Sequence, residues 1–158
     1  MKGILLQKRN KKGFTLVELV IVVAVLAIIA GIAIPTVHNV IDNANKAADT
    51  SNAQAIEMAI KTCQSELAAE KTNPSDAIDD LRTPPGGKPT LNFLLQTYGV
   101  DLRLTDLKQS NAHYYFGSTS GKVVAATSKA DGYELITDDA IYAIDDSTLT
   151  IYPDGKAD

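Results

Sequence analysis

FTLVELVIVVAVLAIIAGIAI, residues 14–34, is the stretch whose reading decides the fold. Only Thr15, Glu18 and the small Gly31 depart from large apolar side chains and alanine. As a helix, these residues span about 31 Å, which matches a hydrocarbon core of about 30 Å. Val, Ile and Leu occupy every face, so the helix has no polar side to turn toward water. A helix apolar all round must be buried in lipid or in protein.

The sequence outward from this stretch is unlike it on both sides. Residues 1–13 carry Lys2, Lys8, Arg9, Lys11 and Lys12 and no acid. By the positive-inside rule the N-terminus stays cytoplasmic and the rest is translocated. A secretory signal peptide fits poorly. The apolar run is too long for one, and it ends Ala33-Ile34-Pro35 without a small-x-small cleavage site. Everything after Pro35 is polar and mixed in charge, so a mean hydropathy near zero averages unlike parts. Subtracting the five positive charges of residues 1–13 from the formal net charge of −4 leaves −9 for the remainder. An acidic body with no basic patch gives no indication of nucleic-acid binding.

A plain signal anchor is the stronger rival, and Glu18 separates the readings. A charged side chain at mid-membrane costs about 2.5–3.5 kcal/mol, and less near an edge. An anchor gains nothing from an acid there. A cut just before Phe14 would create an α-amino group at the start of the apolar helix, and this is the cation that Glu18 lacks.

The string KKGFTLVELVIVVAVLAIIAGIAIP, residues 11–35, resembles the N-terminus of type IV prepilins and of the pseudopilins of related secretion and competence machines. The resemblance covers about residues 8–40. It implies a leader containing Lys8, Arg9, Lys11 and Lys12 that prepilin peptidase removes between Gly13 and Phe14. Phe14 would then be N-methylated, and Glu18 would pair with a terminal amine during assembly. Pro35 matches the proline that closes the family's apolar segment. The implied partners are other subunits of a homopolymer, the peptidase, membrane lipid, and an assembly platform and motor. The implied fate is a single-pass precursor in the inner or cytoplasmic membrane, then an extracellular pilus serving motility, adhesion or secretion. A pseudopilin of a type II secretion or DNA-uptake system is the alternative within the family. A non-polymerising, single-span anchored binding or sensor domain is the alternative outside it. The single Cys63 departs from relatives with a C-terminal disulfide loop and reads as a packed thiol on a helix face.

Beyond Pro35 the period changes. Val37, Val40, Ile41, Ala44, Ala48, Ala55, Ile56, Ala59, Ile60, Cys63 and Leu67 follow helical spacing, interrupted once at Asn52. One helix is therefore predicted from about Phe14 to Glu70, with its second half laid against a head. Pro35 removes a hydrogen bond and presses on the carbonyl of Gly31, itself a poor helix former. Gly31 to Pro35 is where that helix is expected to break, and extension there on assembly would let the apolar halves pack.

The fold expected is α+β: a long N-terminal helix, half transmembrane and half amphipathic, packed on a small antiparallel sheet. Its segments are a leader at 1–13, an apolar helix at 14–35, an amphipathic helix at 36–73 and a head at 74–158. Asn73-Pro74-Ser75 and Pro84-Pro85-Gly86-Gly87-Lys88-Pro89 are the connectors. A turn or two of helix fits Asp76 to Arg82, and a short helix between Thr90 and Gly99. Strands are predicted at 112–116, 122–127, 133–137, 140–145 and 147–152, forming one meander.

No catalytic constellation and no metal site is read, and no cofactor is expected. His38 and His113 are isolated. Asp138, Asp139, Asp145, Asp146 and Asp154 are oxygen donors that calcium could use, but paired aspartates between short strands are ordinary turn residues. Tyr114, Tyr115 and Phe116 read as partly core.

Overall fold

The computed structural model describes residues 13–69, 76–105, 107–145 and 148–157. The leader residues Lys8, Arg9, Lys11 and Lys12, the connector Asn73-Pro74-Ser75 and Asp146 lie outside the described residues. The fold is α+β. The chain divides after Ile41 into two compact units, Met1–Ile41 and Asp42–Asp158.

Helix α1 runs from Leu16 to Ala69. Thr15 and Glu18 start it, as described below. Leu, Ala, Ile and Val carry it through the apolar stretch, and no glycine or proline follows Pro35 within it. In this structure α1 continues through Gly31 and Pro35, so the segment expected to bend or melt is helical here. Pro35 removes one backbone bond among dozens, and the Thr36 hydroxyl donates to Ile32 O at 3.2 Å beside the gap.

In the first unit every described side chain is exposed, from Phe14 through Ile41. In the second unit α1 buries Asp49, Ala53, Ile56, Ala59, Ile60, Cys63 and Leu67. This corrects the stripe read from sequence. The spacing of Val37, Ile41, Ala44 and Ala48 leads on to Asn52 and Ala55. The buried face runs instead through Asp49, Ala53 and Ile56, each one residue later. One residue is about 100° of helix rotation. The interruption at Asn52 thus marks a change of phase, and Ala48 is exposed where Asp49 is buried.

Helix α2 spans Asp76–Arg82 and helix α3 spans Leu91–Thr97. Between them Pro85–Gly87 form one 3-10 turn. Thr90 caps α3 by accepting from Phe93 N at 3.3 Å. Leu91, Leu94 and Leu95 are buried at helical spacing. Gly99, at φ +74°, ends the helix in the left-handed region that suits glycine.

The five strands are β1 (His113–Gly117), β2 (Lys122–Ala126), β3 (Glu134–Leu135), β4 (Ile141–Asp145) and β5 (Thr148–Tyr152). Their positions follow the sequence reading closely, but their pairing does not. Instead of one meander there are two antiparallel sheets, ordered β2-β1-β3 and β4-β5. The cause is β3, which pairs with β1 over only Tyr115↔Leu135 and Phe116↔Glu134. After it, Ile136 N donates to Tyr114 O at 2.9 Å and Thr137 N to Pro153 O at 2.9 Å. Beyond that crossing the chain enters a separate hairpin.

The core joins the α1 face to Ile78, Leu81, Leu91, Leu94, Leu95, Leu104, Tyr114, Phe116, Tyr142 and Ile151. Tyr114, Tyr115 and Phe116 are all buried, more fully than alternation alone suggests. The Tyr142 hydroxyl donates to Leu81 O at 2.7 Å, tying β4 to the end of α2.

Candidate assembly element

Gly13 lies just before α1, outside any helix or strand, and Phe14 is 93% exposed. A Cβ placed on Gly13 would meet nothing within 4 Å among the described residues, and the same holds for Gly31. Packing among the described residues therefore does not require glycine at either position.

Thr15 and Glu18 form a reciprocal cap. Glu18 N donates to Thr15 Oγ1 at 3.2 Å, while Glu18 Oε2 accepts from Thr15 N at 3.1 Å and from Thr15 Oγ1 at 3.0 Å. A helix leaves its first amides without internal partners, and a Thr-x-x-Glu box satisfies two of them. This corrects the reasoning that an anchor gains nothing from an acid at residue 18. Glu18 starts its own helix. The signal was legible as a Thr-x-x-Glu step before an apolar run. Oε1 accepts no bond among the described residues.

From Leu16 to Ile41 the exposed set includes Leu19, Val20, Ile21, Val25, Ile28, Ile32, Val37 and Ile41. The apolar part is long enough to cross a membrane, and none of it is buried within the chain. Soluble proteins rarely leave more than a few hundred Å² of contiguous apolar surface in water. Lipid or other protein must therefore cover this helix.

The second unit holds the residues that the sequence reading missed. Asp49 is fully buried. Its Oδ1 accepts from Lys108 N at 2.7 Å, and its Oδ2 accepts from Gln109 N at 2.9 Å and Gln109 Nε2 at 3.0 Å. The loop before β1 is thus tied to α1. Burial alone would raise the Asp49 carboxyl pKa, but these bonds outweigh it, and with the Lys108 charge they hold it below the usual range. Glu57 pairs with Lys61 and accepts from Val123 N at 3.3 Å, fixing β2 to α1. The Tyr98 hydroxyl donates to Glu66 Oε2 at 2.8 Å. Apart from the Glu57–Lys61 pair, each partner lies more than thirty residues away in sequence, so no local pattern announces it.

Cys63 is fully buried, and burial pushes its thiol up to about 11. It is a packed side chain with almost no thiolate at neutral pH. Among the described residues no three His, Cys, Asp or Glu side chains are grouped to hold a metal ion. Asp138, Asp139, Asp145 and Asp154 are all exposed. Asp154 Oδ1 accepts from Lys156 N at 3.1 Å, a turn contact. His38 and His113 are exposed.

Residues 8–34 match the family described as the prokaryotic N-terminal methylation motif. A type IV major fimbrial protein FimA of Dichelobacter nodosus is 34% identical over 94 residues, covering 50% of this chain and 59% of the relative. A prepilin peptidase-dependent protein A of Clostridium perfringens is 44% identical over 62 residues, covering 39% of this chain and 44% of the relative. The chain thus matches less than two thirds of the length of these relatives. No solved structure matches it.

Proposed function

We propose that this chain, whose residues 8–34 match the prokaryotic N-terminal methylation motif, is the structural, non-enzymatic subunit of a type IV pilus. The precursor sits in the membrane with residues 1–13 on the cytoplasmic side. Prepilin peptidase cuts between Gly13 and Phe14, and Phe14 becomes the methylated terminus. An assembly platform and motor, separate proteins, then move the subunit from lipid into a polymer of its own kind. The mature chain ends in an extracellular filament.

One observation carries this reading. An apolar stretch whose described side chains are all exposed follows a Gly-Phe junction, and four residues after Phe14 stands a carboxylate with one oxygen unengaged among the described residues. Helix packing replaces lipid contact. Glu18 Oε1 accepts from the α-amino group of Phe14 on a neighbouring subunit, while Oε2 keeps its cap. Methylation preserves the amine's positive charge, so the pairing survives it. Extension between Gly31 and Pro35 is the change that assembly would add to the helix described above.

Mass spectrometry of the terminus, with electron microscopy of cells, tests the proposal. The expected result is a chain starting at methylated Phe14 in long surface filaments. A pseudopilin would have the same terminus in short, sparse fibres. A chain that keeps residues 1–13 in its working form is an anchored domain instead, and the proposal fails.

A further inference from the structure

We propose that Asp131-Gly132 is a site of spontaneous aspartate isomerisation, at which the backbone comes to run through the aspartate side chain. The inference does not depend on the polymer reading above.

An aspartate followed by glycine can cyclise because glycine carries no side chain to shield its amide nitrogen. The Gly132 nitrogen attacks Cγ of the protonated Asp131 carboxyl. The Cγ–hydroxyl bond breaks, and water leaves with the amide proton. The product is a cyclic imide, which water then reopens. Opening at Cγ restores aspartate. Opening at the backbone carbonyl frees an α-carboxyl and leaves the chain joined through Cβ and Cγ. No electrons are exchanged, and the net charge is unchanged. Ring closure requires the backbone between the two residues to turn until the nitrogen meets Cγ. Its rate therefore follows how freely that backbone opens.

The sequence holds two Asp-Gly steps, Asp131-Gly132 and Asp154-Gly155. The fold treats them oppositely. Residues 127–132 are all exposed. One backbone bond closes the turn around the first step, Tyr133 N donating to Ala130 O at 3.1 Å. Gly132 has φ +79°, and a Cβ placed on it would meet nothing within 4 Å. Its amide donates to no group among the described residues. The attacking nitrogen is free, and the turn can open without disturbing a packed side chain.

The second step is held at the atoms that the reaction must move. Gly155 N donates to Tyr152 O at 3.1 Å, and Asp154 Oδ1 accepts from Lys156 N at 3.1 Å. Pro153, just before, is buried, and its carbonyl accepts from Thr137 N at 2.9 Å and Thr137 Oγ1 at 3.1 Å. A Cβ on Gly155 would stand 2.5 Å from Asp139 O, so this backbone has no room to swing. The same dipeptide thus occurs once open and once clamped.

Isomerisation at Asp131 adds one atom to the backbone path shortly before β3. Tyr133, whose ring lies against Gly117, leads into that strand, and β3 is attached to β1 over only two residue pairs. The change therefore falls at the weakest strand attachment of its sheet.

The test incubates the full-length, detergent-purified chain for weeks at about 37 °C and neutral pH, both folded and in guanidinium. Electron-transfer mass spectrometry, which separates isoaspartyl from aspartyl peptides, reads both sites. In guanidinium the two sites should isomerise at rates within about threefold of each other. In the folded chain Asp131 should isomerise at least about tenfold faster than Asp154. Asp131→Glu needs a larger ring that closes far more slowly, so it should abolish the signal at 131 and leave that at 154 unchanged. Similar folded rates at the two sites, or a faster rate at Asp154, overturn the proposal. So do rates in guanidinium that already differ tenfold, because neighbouring sequence and not the fold would then set the preference.

Discussion

Replacing Asp49 by alanine is the sharpest probe of how the head is held to its helix. The change removes three hydrogen bonds and leaves the amides of Lys108 and Gln109 facing an apolar methyl. Each donor left unsatisfied in a buried place costs about 1–3 kcal/mol. Two backbone donors therefore put the loss at about 2–6 kcal/mol, before any relief from water entering the site. Domain stabilities are typically about 5–15 kcal/mol, so the loss is a large share of the total. For a unit of this size it lowers Tm by about 10 °C or more. Asp49→Asn keeps the shape but turns its amide group toward one of the two backbone donors, so it should lose about half as much. The pH dependence has a definite sign. The folded carboxyl titrates below its unfolded value, so its contribution is complete above about pH 4 and fades as pH falls through the lower, folded value. The assay is thermal unfolding of detergent-purified chain, with hydrogen exchange read at Lys108 and Gln109. Asp49→Ala should speed exchange at those amides first, and its stability should fall less than wild type's below pH 4. A change under 0.5 kcal/mol with normal protection at both amides would refute the reasoning.

Other changes test other parts of the account. Gly155 has φ +76°, and an added Cβ would stand 2.5 Å from Asp139 O. Gly155→Ala should therefore cost about 1–3 kcal/mol in denaturant unfolding. Gly31→Ala should do the opposite, stabilising α1 by about 0.5–1 kcal/mol, because the site is open and helical; if extension at 31–35 is part of assembly, the same change should lower filament yield. Cys63, with its thiol at about 11, should resist a thiol reagent at pH 8 in the folded chain and react within minutes once unfolded.

How much of this was legible in the sequence depends on the range of each interaction. Period and breakers are local, so α1, α3 and all five strands could be placed to within a residue or two at most ends. The Gly13-Phe14 junction and Glu18 stood out because an acid in an apolar run is costly. The cap between Thr15 and Glu18 is equally local, a Thr-x-x-Glu step, but a lone acid in an apolar run points to a missing cation before it points to the neighbour three residues away. The split into two sheets was not legible, since it turns on β3 being two residues long and on Thr137 meeting Pro153. Nor was Asp49, whose partners lie 59 and 60 residues on. An aspartate beside an apolar stripe reads as a solvated flank until the chain folds back. The change of phase at Asn52 was visible as an interruption, and only burial gives it meaning.

Glu18→Gln tests the central claim most directly, because glutamine can still cap the helix at this position but carries no charge. The variant should insert and be cut after Gly13 at the wild-type rate, with its terminus methylated. Its filament yield, by quantitative immunoblot of the sheared fraction, should fall about tenfold or more. Wild-type filament yield from Glu18→Gln would contradict the account, leaving that residue a helix cap and nothing more.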